Sequence, residues 1–283
     1  MRDAGFFDEI KPRLVSLGKC QVRIGTSGYV FADWRGTFYP TKLPQAGWLD
    51  YYAQEFDVVE INATYYRLPP ARIFQSMARR TPNGFGFWVK LPGGITHGED
   101  EPEPLLTAFR ASIRPLIESG QYCGALAQFP PWFRPCPLSF AKLALIAELS
   151  ENPLAVEFRR AEWQNEEVYR FCKSHNIINA SIDLPALEGL PQPSDIITGQ
   201  AGYVRFHGRN KRAWFDRKAG DRYDYDYSQS ELQEWLPHLK RMSEQVSTMS
   251  LFFNNCHAGQ AVRSARMLRD LLQGEFATPE AIK

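Results

Sequence analysis

The stretch "VVEINATYYRLP", residues 58–69, opens as a buried strand with Val58, Val59 and Ile61, yet Glu60 and Asn62 sit inside it on one face. Thr64 is next on that face. An unpaired carboxylate in a strand interior is very costly, so Glu60 needs a partner or a purpose.

Outward from this stretch, short apolar, β-rich runs alternate with amphipathic helical runs. Strands are predicted at 20–27, 58–65, 85–91, 122–129, 154–159, 179–184, 202–208 and 248–254. Leu49, Tyr52, Ala53 and Phe56 follow i, i+3, i+4, i+7 spacing, as do Leu232, Trp235, Leu236 and Leu239. Ser228 and Glu231 precede the second set as a capping box. Further helices are expected near 70–80, 104–118, 138–149, 165–174 and 259–273. Eight strands alternating with helices predict an α/β fold, a (β/α)8 TIM-like barrel. A doubly wound sheet also alternates, but "GTSGY" after the first strand lacks G-x-G-x-x-G spacing. Residues 185–201, "PALEGLPQPSDIITGQA", predict a loop or short turn, so the sixth helix is expected to be degenerate. No repeat or composition break divides the chain. One domain is expected over residues 1–283, with its core at about 20–273.

The 283 residues are 44% hydrophobic, enough for a large core, and the net charge of +1 gives no global attraction to nucleic acid or anionic membranes. Five scattered cysteines without a C-x-x-C pair argue against a disulfide framework and a structural zinc site. The first twenty residues lack the apolar centre of a signal peptide, and no run reaches membrane-spanning length. A reduced, cytoplasmic protein without membrane contact is therefore expected.

In a barrel, catalytic residues come from the C-terminal ends of the strands. The polar residues late in each predicted strand are Glu60, Asn62 and Thr64, Lys90, Gln128, Glu157 and Arg159, Asp183, Arg205 and His207, and Asn254. Three carboxylates, Glu60, Glu157 and Asp183, are expected to converge with Lys90, Arg159 and Arg205. Paired buried ions seldom add stability over apolar packing, so such a ring exceeds what stability requires.

Loops after the seventh and eighth strands often bind phosphate in barrels. Here they read "HGRNKRAW" (207–214) and "NNCHAGQA" (254–261), offering Arg209, Asn210, Asn254 and Asn255. The leading expectation is an enzyme or binder for a phosphate-bearing or otherwise anionic small ligand. Glu60, Glu157, Asp183, His207 and Lys90 are the candidate acid/base or nucleophilic groups. The long loop at about 210–227 interleaves bases with aromatic residues, which makes a nucleic-acid-binding protein, with or without nuclease action, the alternative. Its aspartates cancel much of that charge. His97, His207 and His257 could join the carboxylates around a metal, but no H-x-x-x-H or paired-carboxylate spacing accompanies them. No metal or other cofactor is assigned, and no reaction class or oligomeric state is singled out.

These residues also resemble a known family. "IGTSGY…W.G.FYP" at 24–40, "VVEINATYYRLP" at 58–69, "F.VKLPGGITH" at 87–97 and "AQFPPWF" at 127–133 are similar to motifs of the YecE-like proteins, domain of unknown function 72. So are "AVEFRR" at 155–160, "YVRFHGRN" at 203–210, "YDYDYS..EL..W" at 223–235 and "FFNN" at 252–255. The resemblance spans nearly the whole chain. It implies a TIM-like barrel and brings no activity with it. Where the family usually has histidine, serine and tryptophan after "VEFR", this chain has Arg160, Ala161, Glu162 and Trp163.

Overall fold

Val58, Val59, Glu60 and Ile61 form a strand in which every residue is buried, as expected where both faces of a parallel sheet are covered. The computed structural model describes residues 15–98, 101–151, 153–216 and 221–275. Its strands are β1 (Val15–Leu17), β2 (Cys20–Thr26), β3 (Val58–Ile61), β4 (Gly86–Lys90), β5 (Tyr122–Gln128), β6 (Leu154–Glu157), β7 (Ile177–Asn179), β8 (Ser181–Asp183), β9 (Gly202–Phe206) and β10 (Thr248–Phe253). Helices α1 (Trp48–Glu55), α2 (Ala71–Arg80), α3 (Gly93–His97), α4 (Glu103–Glu118), α5 (Pro137–Leu149), α6 (Glu166–Ser174), α7 (Gln229–Gln233), α8 (Leu236–Ser243) and α9 (Gln260–Glu275) lie between and after them.

The strands form an α/β fold with two five-stranded sheets, ordered β1-β2-β10-β9-β8 and β3-β4-β5-β6-β7. All pairs are parallel except β1–β2, a short antiparallel hairpin that periodicity does not reveal. One face of both sheets packs under the helices, where Val59, Phe87, Val156, Phe206 and Phe253 meet Tyr52, Phe74, Phe109, Ile146, Leu239 and Leu268 in the main core. On the other face, Val58, Trp88, Leu126, Ala155, Ile178, Ala180, Tyr203 and Phe252, drawn from both sheets, form a second core. Trp88 carries this contact from sheet to sheet. Its ring packs on Tyr203 at 4.5 Å, and its Nε1 donates to Ser250 Oγ at 3.0 Å.

At the two seams between the sheets, side-chain hydroxyls stand in for ladder bonds. Between β2 and β3 there is a parallel bridge at Ser27–Glu60. Beside it, the Tyr52 hydroxyl accepts from Thr26 N at 2.9 Å and donates to Val58 O at 3.1 Å. Gly25 is needed at this seam, because a Cβ there would collide with the Val58 carbonyl. At the other seam, one chain path serves both sheets: β7 pairs with β6, and β8 pairs with β9. Thr198 Oγ1 accepts from Asn179 N at 2.8 Å and donates to Ile177 O at 2.7 Å, which holds the bend between them.

Residues 185–201 contain turns and bends but no helix, in line with the prolines and glycines there. The helix expected around Leu232–Leu239 is split into α7 and α8. Pro237 has no N–H to give the Gln233 carbonyl, so the ladder lacks a bond at the junction of the two helices. The capping box is present, with Ser228 and Glu231 bonded reciprocally. No helix among the described residues is long and apolar enough to cross a membrane.

Candidate functional site

Parallel pairing puts register partners on the same face, so the strand registers decide which polar residues meet. Glu60 aligns with Trp88, Gln128 with Glu157, and Arg205 with Phe252, all on the face of the second core. Lys90 and His207 lie two residues beyond Trp88 and Arg205, on the same side.

Arg205 is the hub and is buried. Its Nε donates to Glu60 Oε2 at 2.9 Å and its Nη2 to Glu60 Oε1 at 2.7 Å. Its Nη1 donates to Glu157 Oε2 at 2.6 Å. Glu60 also accepts from the Tyr203 hydroxyl and from Asn62 Nδ2 at 2.9 Å. Burial works to raise the Glu60 carboxyl, but Arg205, Tyr203 and Ser27 outweigh it and hold it below the usual range. For Glu157, burial is likewise overcome by Arg159, Arg205 and His207, and the carboxyl stays well below its ordinary value. Arg159 Nε lies against Glu157 Oε1 as an ion pair outside hydrogen-bonding geometry. Glu60 therefore has its partner: the charge in the strand is neutralised by Arg205.

His207 is fully buried. Asn254 Nδ2 lies 3.0 Å from its Nδ1, and its Nε2 is 3.1 Å from Glu157 Oε2. A neutral imidazole with its proton on Nε2 satisfies both contacts. Burial pushes its pKa down to about 3, against the opposing pull of Glu157.

Above this ionic layer opens a cavity of about 760 Å³. Of the residues singled out from the sequence, Asn62, Lys90, Gln128, Arg205, Asn254 and His257 line it. Lys90 Nζ donates to Gln128 Oε1 at 2.6 Å and sits 4.5 Å from the centre of the Tyr65 ring. It makes no ion pair with a carboxylate among the described residues. Burial, then the nearby Arg205, pushes the Lys90 amine down to about 7, while Glu157 and Glu60 only partly oppose this. Asn62 Oδ1 is buried without a hydrogen-bond partner among the described residues.

Several predicted residues lie elsewhere. Glu60, Glu157 and His207 do not line the cavity; they form its foundation. Asp183 aligns with Phe206, on the helix side of the sheet and away from Arg205. There it accepts from Tyr227 Oη at 2.7 Å, Trp235 Nε1 at 2.6 Å and Arg209 Nη2 at 2.7 Å. Asp183 thus anchors α7 and α8 rather than serving the cavity. Arg209 is spent on Asp183 and on Glu234, which it meets at 2.7 Å, so the cation closest to the strand end is unavailable to an anion or a phosphate backbone. Asn210 braces the following loop through Asp221 O and Asp224 O at 3.3 and 3.2 Å. Asn255 Nδ2 bonds Tyr225 O at 2.8 Å and Ser264 Oγ at 3.2 Å, behind the cavity. Thr64 ties the turn after β3 to the backbone of Ile61 and Lys90. Arg159 stays in the ionic layer.

Sequence reasoning did not single out Ser27, Phe31, Asp33, Tyr65, Tyr66 or Cys256 as site residues, yet all line the cavity. The adjacent tyrosines at the end of the opening stretch were the available signal. Tyr66 is 86% exposed despite being large and partly apolar. From the loop after β9 come Asp221, Arg222 and Tyr223, with the Arg222 guanidinium 5.6 Å from the Trp214 ring centre. The mouth carboxylates are occupied by backbone amides: Asp33 accepts from Ala258 N at 2.7 Å, and Asp221 from Tyr223 N at 2.9 Å. No three His, Cys, Asp or Glu side chains among the described residues come together as metal ligands.

The chain matches the family model described as Protein of unknown function DUF72 over residues 23–282. It belongs to the DUF72 family. UPF0759 protein YunF of Bacillus subtilis (strain 168) is 32% identical over 274 residues, 90% of this chain and 96% of the relative. A crystal structure of a DUF72 family protein from Thermotoga maritima MSB8 superposes with a TM-score of 0.83 at 39% identity, covering 89% of this chain and 99% of that one. A DUF72 family protein from Enterococcus faecalis V583 gives a TM-score of 0.79 at 25% identity, covering 89% and 95%. The DUF72 name carries no reaction, so any chemistry must be argued from the cavity itself.

Proposed function

We propose that this DUF72 protein binds a small phosphate- or carboxylate-bearing ligand at the C-terminal mouth of a single (β/α)8 barrel domain. Closure of the barrel is supported by the Ser27–Glu60 bridge and by the shared path of β7 and β8. The second core, built from both sheets, is then the barrel interior.

One observation carries the ligand reading. Lys90 lines the cavity with no carboxylate partner among the described residues, while the buried carboxylates beside it are already neutralised by Arg205 and Arg159. A bound anion supplies countercharge and shifts part of the Lys90 population to the ammonium form, leaving a neutral fraction. Asn62 Oδ1, buried and without a partner among the described residues, gives a ligand hydroxyl or N–H group an acceptor close by. Ligand pockets commonly combine aromatic walls with a few convergent polar groups. Here Phe31, Tyr65, Tyr66 and Tyr223 supply the walls.

Thermal melting of chelator-treated protein against sulfate, phosphate, sugar phosphates and small carboxylates tests this. A ligand at a hundred times its Kd stabilises the fold by about 2.7 kcal/mol. The expected result is a rise in Tm with at least one anion class, absent in Lys90→Met. No rise with any of them, or an undiminished rise in Lys90→Met, would overturn the proposal.

A further inference from the structure

Lysine amines at physiological pH are usually ammonium ions held by carboxylates or water, and Lys90 departs from this in its surroundings as well as its burial. Among the described residues, the charged and titratable groups facing it are Arg205 from β9, Glu157 and Arg159 from the end of β6 and just beyond, Glu60 from β3, Tyr65 from the turn after β3 and His97 from α3. Both carboxylates in this set are bonded to the arginines, so the field at Nζ is close to balanced and added positive charge is poorly supported. Gln128 takes one N–H of Nζ, and no described side chain donates a hydrogen bond to it. The ring of Tyr65 covers one side, and the cavity opens on the amine.

We infer that Lys90 is a nucleophile that captures the carbonyl group of an anionic aldehyde or ketone as a Schiff base. This rests on the anion-binding reading and names its substrate class. The neutral Nζ lone pair attacks the carbonyl carbon, forming the C–N bond while the carbonyl π pair moves to oxygen. A proton from Nζ passes through water to that oxygen, giving a carbinolamine. Protonation of the hydroxyl by a water-borne proton and breakage of the C–O bond then release water, with the nitrogen lone pair closing the C=N bond. The remaining N–H proton of the iminium returns to water to leave the imine. One amine and one carbonyl give one imine and one water, and nothing is oxidised or reduced. A lysine is activated for this chemistry by desolvation or by neighbouring cations. Lys90 has both: burial and then Arg205 bring its amine down to about 7.

Full-length protein is treated at pH 7 with glyoxylate and cyanoborohydride, which reduces an imine to a stable secondary amine, and modified lysines are mapped by peptide mass spectrometry. With its amine brought down to about 7, a substantial fraction of Lys90 in the free protein is neutral at that pH, against well under a hundredth of an ordinary lysine. Modification at Lys90 is expected to be at least tenfold faster than at Lys42, Lys173 or Lys240, and to be slowed by glycolate, the same anion without a carbonyl. Labelling spread evenly over surface lysines with no excess at Lys90 overturns the inference. Stabilisation by glycolate without labelling of Lys90 also overturns it, while leaving the anion site standing. Fast labelling at Lys90 that glycolate does not slow supports the nucleophile and removes the anion reading instead. The readout is made on the wild-type chain and so does not depend on a variant folding.

Discussion

Arg205 and Glu60, 145 residues apart in the chain, meet side-on, with Nε to Oε2 at 2.9 Å and Nη2 to Oε1 at 2.7 Å. The pair crosses between the two sheets, since Glu60 lies in β3 and Arg205 in β9. Arg205 Nη1 extends the link to Glu157 in β6. Removing one partner of a buried pair leaves an uncompensated charge and costs about 3–5 kcal/mol. Glu60→Ala should therefore lower the unfolding free energy extracted from urea titration by that order, as a fault of the scaffold rather than a loss of a cavity group.

Lys90 makes stability depend on pH in the alkaline range. Its pKa falls from an ordinary 10.5 to about 7 on folding, so between those values the unfolded chain binds more protons. The contribution of Lys90 is most favourable above the unfolded value and declines as pH falls toward 7. At about 1.4 kcal/mol per unit, the full effect is at most about 5 kcal/mol. Lys90→Met should be more stable than wild type near pH 7, and the difference should narrow as pH rises to 10. Equal pH profiles for the two proteins would contradict the assignment.

His207 acts in the opposite range. With its pKa pushed to about 3, the unfolded chain takes up protons first as pH falls through about 6.5. Stability is lost from there down, and ionised Glu60 and Glu157 add to the loss at lower pH. His207→Gln should move the onset of acid unfolding, followed by circular dichroism, to below about pH 5, where the carboxylates take over.

Asp183 receives Tyr227, Trp235 and Arg209 at once. Asp183→Asn should destabilise the fold by about 3 kcal/mol or more, because Arg209 loses its principal countercharge. Melting shifts produced by anions should persist in this variant, measured at a temperature where it remains folded.

Strand and helix positions were legible because most elements bury one face, and burial writes a period into the sequence. Most of the expected strands are found within a residue or two of their ends; the strand expected at 179–184 is β8 with the separate β7 just before it, and β1, β7 and α3 escaped. The convergence of Glu60, Lys90, Glu157 and Arg205 was legible for the same reason: polar residues breaking an apolar run stand out. Asp183 was misplaced because alternation tells which residues share a face but not which face is inside. That choice depends on Tyr227 and Trp235, which arrive from 44 and 52 residues away. Arg209 was read as free because its partner Glu234 comes from beyond a long loop. The tyrosines at 65 and 66 follow the last strand residue, where periodicity ends and loop geometry decides direction.

The central claim is that Lys90 is the anchor for an anion, and proton-linked calorimetry tests it most directly. Sulfate, which does not titrate near neutrality, is injected at pH 8 in two buffers of different ionisation enthalpy. Binding should draw a proton onto Lys90, because the anion raises an amine pKa that lies at about 7 in the free protein. The expected result is net proton uptake in wild type, affinity that weakens as pH rises above 8, and no uptake in Lys90→Met. Sulfate binding without proton uptake, or uptake that survives in Lys90→Met, would contradict the account.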